Sequence, residues 1–199
     1  MVKAVYVLII AFIAGCVHVP PPDSTTFYCV YNTGSEELEL TRHENCGYVA
    51  HGKIVLYPSH LKKLRGSSEG LNSAWIEHIG WVYVTQDGTV LPTVTYDNGP
   101  DYFREGMARY RENNRIGFIN EKGRVVIPAQ FQWAFPFEHG VAPVCEGATP
   151  IKHGEHTWLE GGRWGAIDST GTIIIPITHT RQEVEIEIEQ TRIRRKRVR

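Results

Sequence analysis

The residues best able to hold a metal ion or move a proton are few and scattered. Among nine histidines and four cysteines, the tightest cluster is His153 and His156, with Glu155 between them and Cys145 upstream. Two histidines three apart share one face of a turn, and a His/Cys set suits zinc or copper. The second ligand pair that metal motifs carry is missing. No cofactor is therefore expected, and Cys145, His153 and His156 stand only as weak metal candidates. The carboxylates Asp97, Asp101 and Glu105 crowd into YDNGPDYFREG. A glycan hydrolase needs two such groups at a set separation, but Asn98-Gly99-Pro100 marks a turn, where Asp caps backbone amides. No G-x-S-x-G, Walker A or H-E-x-x-H pattern occurs. The expectation is a protein with no catalytic residues; a glycan hydrolase and a metal-binding periplasmic lipoprotein are the alternatives.

Cysteine chemistry of another kind is suggested at the N-terminus. Lys3 precedes a compact apolar run, Ala4 to Phe12, too short to remain as a membrane span. The run closes on Ile13-Ala14-Gly15-Cys16, which resembles a bacterial lipobox. That resemblance implies a signal peptide over 1–15, cleavage before Cys16, and acylation of its thiol with palmitate-type chains. At about 0.8 kcal/mol per buried methylene, several chains anchor a protein without a transmembrane helix. Residues 16–27, with Pro20, Pro21 and Pro22, read as a lipidated tether. Val17 is not the Asp of inner-membrane retention, so resemblance to Gram-negative sorting places the protein on the outer membrane facing the periplasm. A Gram-positive envelope stays open. Export puts the other cysteines in an oxidising compartment. Cys29 and Cys46 are a candidate disulfide within a cap region, 28–46, worth on the order of 3 kcal/mol. The other two pairings with Cys145 remain open, and Cys145 reads as an inert buried thiol.

These groups must be positioned by a β-rich scaffold, for 19 Gly and 11 Pro punctuate the chain. Four segments share one pattern: GYVAHGKIVLYP at 47–58, VYVTQDGTVLP at 82–92, GFINEKGRVVIP at 117–128 and GAIDSTGTIIIP at 165–176. Their turn glycines fall at 52, 88, 123 and 171, and their prolines at 58, 92, 128 and 176. A second marker recurs as Glu69-Gly70-Leu71, Glu105-Gly106-Met107 and His139-Gly140-Val141. Two markers with a period of roughly 35 define a repeat. Each unit predicts a β-hairpin with Gly at the reversal and Pro ending the second strand. One hairpin is marginal in water, so the units must stack. The last step is longer, and its extra residues, near 148–161, are expected to form a loop. A short helix over 59–65 is also allowed.

Gly162-Arg163-Trp164-Gly165-Ala166-Ile167-Asp168, with Gly171 and Ile175-Pro176, resembles the WG repeat. The unit at 115–128 matches with Ile116 in place of the Trp, and Gln130 to Phe137 and Gly140-Val141-Ala142 continue the likeness. The unit at 82–92 keeps Trp81 but has Val82 for the Gly; the unit at 47–58 lacks the Trp. The resemblance implies tandem β repeats, no established catalytic residues, and an interaction module.

With 21 basic and 22 acidic side chains, the chain has no global nucleic-acid footprint. Its aromatics recur with the repeat. Trp164, Phe131 and Phe135 are expected in the seams between units, and Trp158, Trp133 and Trp81 make up the candidate binding surface. The repeat domain is set at 47–180 and an acidic/basic tail at 181–199. In the tail, QEVEIEIEQ alternates like a half-buried strand, and six of the last eight side chains are basic. The fold expected is mostly β, in about four hairpin repeats, with a single β-rich α+β domain as the alternative. The function expected is a lipid-anchored envelope protein that binds a protein partner, or else a glycan or anionic lipid through its basic tail. Nucleic acid is not expected as a partner.

Overall fold

The computed structural model describes residues 20–33, 39–65, 70–154 and 156–197. In chain order the elements are β1 (Thr25–Tyr31), β2 (Thr41–Ala50), β3 (Lys53–Leu56), α1 (Pro58–Arg65), β4 (Asn72–Ile76), β5 (Gly80–Val84) and β6 (Val90–Pro92). There follow β7 (Thr95–Tyr96), β8 (Gly99–Pro100), β9 (Met107–Glu112), β10 (Arg115–Asn120), β11 (Val125–Phe131), β12 (Trp133–Ala134), β13 (Val141–His153), β14 (His156–Asp168), β15 (Ile173–His179) and α2 (Arg181–Arg197). The protein is mostly β. Among the described residues all pairings are antiparallel, in sheets ordered β3-β2-β1-β4-β5-β6, β11-β10-β9 and β12-β13-β14-β15, plus the small β7–β8 ribbon.

All four expected hairpins form, as β2–β3, β5–β6, β10–β11 and β14–β15. The repeating unit is larger than a hairpin. A preceding strand joins each one, so β1-β2-β3, β4-β5-β6, β9-β10-β11 and β13-β14-β15 are three-stranded meanders. The last two share one register. Ile116↔Phe131, Phe118↔Ile127 and Ile119↔Val125 recur as Trp164↔His179, Ala166↔Ile175 and Ile167↔Ile173, with the same two irregularities. A third strand gains a partner by running on to the first strand of the next unit, as in the bridge Thr93↔Tyr110 and the pair Ala134↔Val144.

The repeat glycines and polar turn residues make this possible. Gly52, Gly88, Gly123 and Gly171 have φ of 72, 91, 73 and 86°, a region that costs an L side chain steric energy. In the same turns, Asn120 Oδ1 accepts from the amides of Lys122 and Arg124, and Asp168 Oδ1 from those of Thr170 and Thr172. Thr85 Oγ1 accepts from Thr89 N in unit two. The second marker builds another reversal. Glu105-Gly106 and His139-Gly140 have positive φ at both positions, the conformation of a type I′ turn. The Glu105 carboxylate accepts from the amides of His139 and Gly140 at 2.6 and 2.8 Å, so one unit's turn holds the next.

Buried side chains bridge neighbouring units rather than filling one. Phe27, Leu56, Ile76 and Val82 join units one and two; Tyr83, Ala108, Tyr110 and Ile119 join two and three. Phe118, Ile127, Phe137, Val144 and Ile167 join three and four. Trp164, Ala166, Ile175 and Val184 join unit four to α2.

Four expectations are corrected. The tether does not reach residue 27: β1 starts at Thr25, and Phe27 is buried in the first core. The cap region is not a separate piece, since its strands belong to unit one. The extra residues of the last step are not a loop; they lengthen β13 and β14 into one continuous hairpin. The tail is not a strand. Thr180 and Glu183 form a capping box, with Thr180 N donating to Glu183 Oε2 at 2.7 Å and Glu183 N to Thr180 Oγ1 at 3.3 Å. Helix α2 follows it, supported by Arg181–Glu185 at spacing i,i+4. Pro58 likewise opens α1, where its missing N–H costs nothing.

Candidate binding surface

Strands β13 and β14 pair without a register break from Val141↔Asp168 to His153↔His156. Their outer neighbours stop early, β12 at Trp133↔Cys145 and β15 at Trp164↔His179. Beyond these points a two-stranded ribbon projects from the sheet for about 25 Å, at roughly 3.3 Å per residue. Its base is braced. Gln132 spans its edge like a missing strand, its Nε2 donating to Ala148 O and its Oε1 accepting from Ala148 N. The Glu146 carboxylate accepts from Arg115 Nη1 at 2.7 Å and from Gln132 N at 3.0 Å. The Trp164 indole N–H donates to Gly161 O. Gly147, Gly161 and Gly162, all at positive φ, twist the ribbon here. A Cβ on Gly162 would come within 2.8 Å of Ala148 N.

The three candidate tryptophans separate in this frame. Trp158 lies on the ribbon opposite Ile151 and is 61% exposed. Trp133 is half-buried, with its edge against Phe135 and the Arg109 guanidinium 5.7 Å from its ring centre. Trp81 is half-buried opposite Trp75, its indole N–H donating to Asn98 O. The seam aromatics lie as expected: Phe131 and Trp164 are buried, and Phe135 stacks on Trp164 at 5.8 Å.

The structure does not bring the metal candidates together. Cys145 lies eight residues from His153 on the same strand, about 26 Å away. His153 and His156 oppose each other, and their side chains lie outside the described residues. Among the described residues, no group of three His, Cys, Asp or Glu could hold an ion. Burial pushes the Cys145 thiol up to about 11, and a thiol in that state is a poor nucleophile. Nor do the carboxylates converge. Asp97 is exposed on the β7–β8 turn. Asp101 is buried and accepts from Arg109 N, Nε and Nη2 at 2.8, 2.9 and 2.6 Å. Cys29 and Cys46 form a disulfide with Cα atoms 5.9 Å apart. Cys16 lies outside the described residues.

Sequence reading missed a groove of about 1270 Å³ beneath α2, lined by Tyr102, Phe135, Pro136, Val141, Ile174 and Ile188. Arg181 caps its aromatic end, 4.7 Å from the Phe135 ring centre and 5.7 Å from that of Trp164. The Thr180-x-x-Glu183 box was the signal that would have revealed this helix.

A family model described as WG containing repeat matches residues 116–148 and 164–178. These are the stretches that share one register, β10 to β13 and β14 to β15. No curated protein and no solved structure matches the chain.

Proposed function

This is a WG repeat-containing protein, and on that premise we propose that it is a lipid-anchored envelope protein that binds a protein partner through its projecting ribbon. Trp158 carries the reading. It is a large amphipathic side chain held clear of the body on a braced two-stranded arm, and such aromatics dominate interface energetics. The family's character as an interaction module supports the same view. The anchor rests on the lipobox-like run ending at Cys16, followed by the Pro20–Pro22 spacer before β1. Among the described residues, no helix is long and apolar enough to cross a membrane.

The test combines two substitutions in the full chain, expressed in a bacterium fed labelled palmitate and fractionated into membrane and soluble pools. Cys16→Ser should abolish both the label and membrane retention. Trp158→Ala should keep both, and should lose a partner that the parent chain captures from detergent-solubilised envelope. An unlabelled parent chain removes the anchor. Equal capture by the parent and Trp158→Ala chains removes the ribbon as the binding surface.

A further inference from the structure

The two edges of the ribbon differ. Ala148 turns its N–H and C=O outwards to the Gln132 side chain, at 2.8 and 2.7 Å. Ala148↔Gly161 is therefore a pair whose backbone groups point away from each other. In an antiparallel ladder such pairs alternate with pairs that exchange both bonds. Pro150↔Leu159 and Lys152↔Thr157 are then of the outward kind, and Thr149↔Glu160 and Ile151↔Trp158 of the inward kind. Beyond Ala148 the β13 edge keeps one outward N–H, that of Lys152, because Pro150 has none. Proline and lysine are residues that blunt an edge against further pairing. The β14 edge carries neither. Gly161 O is taken by the Trp164 indole N–H. Thr157 and Leu159 each present an N–H and a C=O further out, beyond the last β15 partner at His179. Neither has a backbone partner on that side among the described residues.

We propose that the β14 edge takes up an extended segment of a partner protein as an added antiparallel strand, with a basic residue two places before an apolar one. The proposal rests on the ribbon being the binding surface and names what binds there. Backbone bonds to Thr157 and Leu159 continue the line of β15 along the same edge of β14, in the antiparallel order of its neighbours. Between these bonds Trp158 meets the segment in a non-hydrogen-bonded pair, where Cα atoms come within about 4.5 Å and side chains are nearest. An apolar residue there covers the exposed indole. Glu160 shares the face of Trp158. It is exposed and joins none of the ion pairs among the described residues. In antiparallel order it meets the residue two places earlier in the segment, which suits Lys or Arg. A second copy pairing edge to edge supplies no such cation, since residues 156–161 contain no Lys or Arg.

Panning a phage library of random peptides on the full chain in mild detergent tests this. Peptides that bind the parent chain but not Trp158→Ala should carry Lys or Arg two residues before an apolar residue. A synthetic copy of one such peptide should lose at least tenfold in affinity when alternate backbone amides are N-methylated in one register, and less than about twofold in the other. Thr157→Pro removes an edge N–H and leaves Trp158 in place, as Pro150 already does for its own edge; it should cost that peptide at least tenfold. Lys152→Pro, its counterpart on the β13 edge, should cost less than about twofold. Glu160→Lys should change the selected residue from basic to acidic. Near-ultraviolet circular dichroism of each variant should match the parent; where a proline disturbs the fold, the N-methyl series decides. If the peptides bind Thr157→Pro as tightly as the parent, or tolerate N-methylation in both registers, strand addition is overturned while the ribbon remains the binding surface. If no peptide separates the parent from Trp158→Ala, the ribbon reading falls and this proposal with it. Self-association through Thr157 with no peptide selected overturns the choice of a partner protein.

Discussion

At the scale of single residues, two positions show how the fold constrains its side chains. Gly117 lies where the β10–β11 register slips, and a Cβ there would overlap Ile127 O and the backbone of Pro128 and Ala129. Gly165 meets Ile175 O in the same way. Val82, their counterpart in unit two, is accommodated because β5–β6 pairs without a slip. Gly117→Ala should therefore cost about 3 kcal/mol, the upper end for overpacking, measured as a lower urea midpoint at unchanged slope. The second position is His43. Its ring stacks on Tyr31 at 4.1 Å and lies 5.8 Å from His60, whose Nδ1 is 2.7 Å from the Tyr31 hydroxyl. His43 Nε2 is buried with no partner among the described residues. Burial, reinforced by Lys63, lowers both histidines below the ordinary value of 6.5. The folded state then binds fewer protons than the unfolded chain just below that pH. Stability is full above 6.5 and falls as the pH drops towards the folded values. His43→Phe keeps the stacking and removes one titrating group. Its melting temperature should fall less than the parent's between about pH 7.5 and 5.

The elements show what was legible in the sequence and what was not. The four hairpins could be read because each carries its own turn glycine, polar cap and terminal proline within a dozen residues. The first strand of each unit could not be read, for the second marker shows only where β9 and β13 start, and the strand joins its hairpin by register alone. The ribbon looked like a loop because Gly147, Gly154, Gly161 and Gly162 resemble linker residues, whereas they serve to twist and turn a continuous ladder. The tail misled more directly. Strict alternation in QEVEIEIEQ predicts a strand, but its glutamates favour helix and only Val184 and Ile188 needed a core to pack on. Period-two spacing then left Ile186 in solvent. The same reasoning gives a prediction for the helix. Thr180→Ala removes the oxygen that caps Glu183 N and should cost about 1 kcal/mol. Amide exchange should quicken in the first turns of α2, while β13 and β14 stay protected. Uniform acceleration through unit four would mean that the cap holds more than the helix.

Across the whole molecule, stability passes through the joints between units, and the joint between units two and three is unlike the next one. Beside its apolar cluster it holds a buried ion pair: Asp101 and Arg109 are 2% and 3% exposed, and Arg109 Nη1 reaches on to Ala134 O at 3.0 Å. One repeat later, the same positions hold Phe135 and Pro143, joined by Phe135 N donating to Pro143 O. Two of the three carboxylates of the supposed acidic cluster serve as mortar, Asp101 within the joint and Glu105 beneath the next turn, while Asp97 stays exposed. Removing one charge strands the other in a dry site, which costs about 3–5 kcal/mol. In a repeat array that loss falls on an interface rather than on one unit. Asp101→Asn should therefore do more than lower the midpoint. Units one and two are tied by one sheet and by the core around Phe27 and Ile76, and units three and four by the core around Phe118 and Ile167. With the joint weakened, urea unfolding should split into two steps, the earlier one reported by tryptophans of a single half. Asp101→Leu with Arg109→Met should restore one transition, since apolar partners of similar volume replace a buried pair at little cost. A single unshifted transition in Asp101→Asn would place the coupling elsewhere, in the apolar cluster of Tyr83, Ala108, Tyr110 and Ile119.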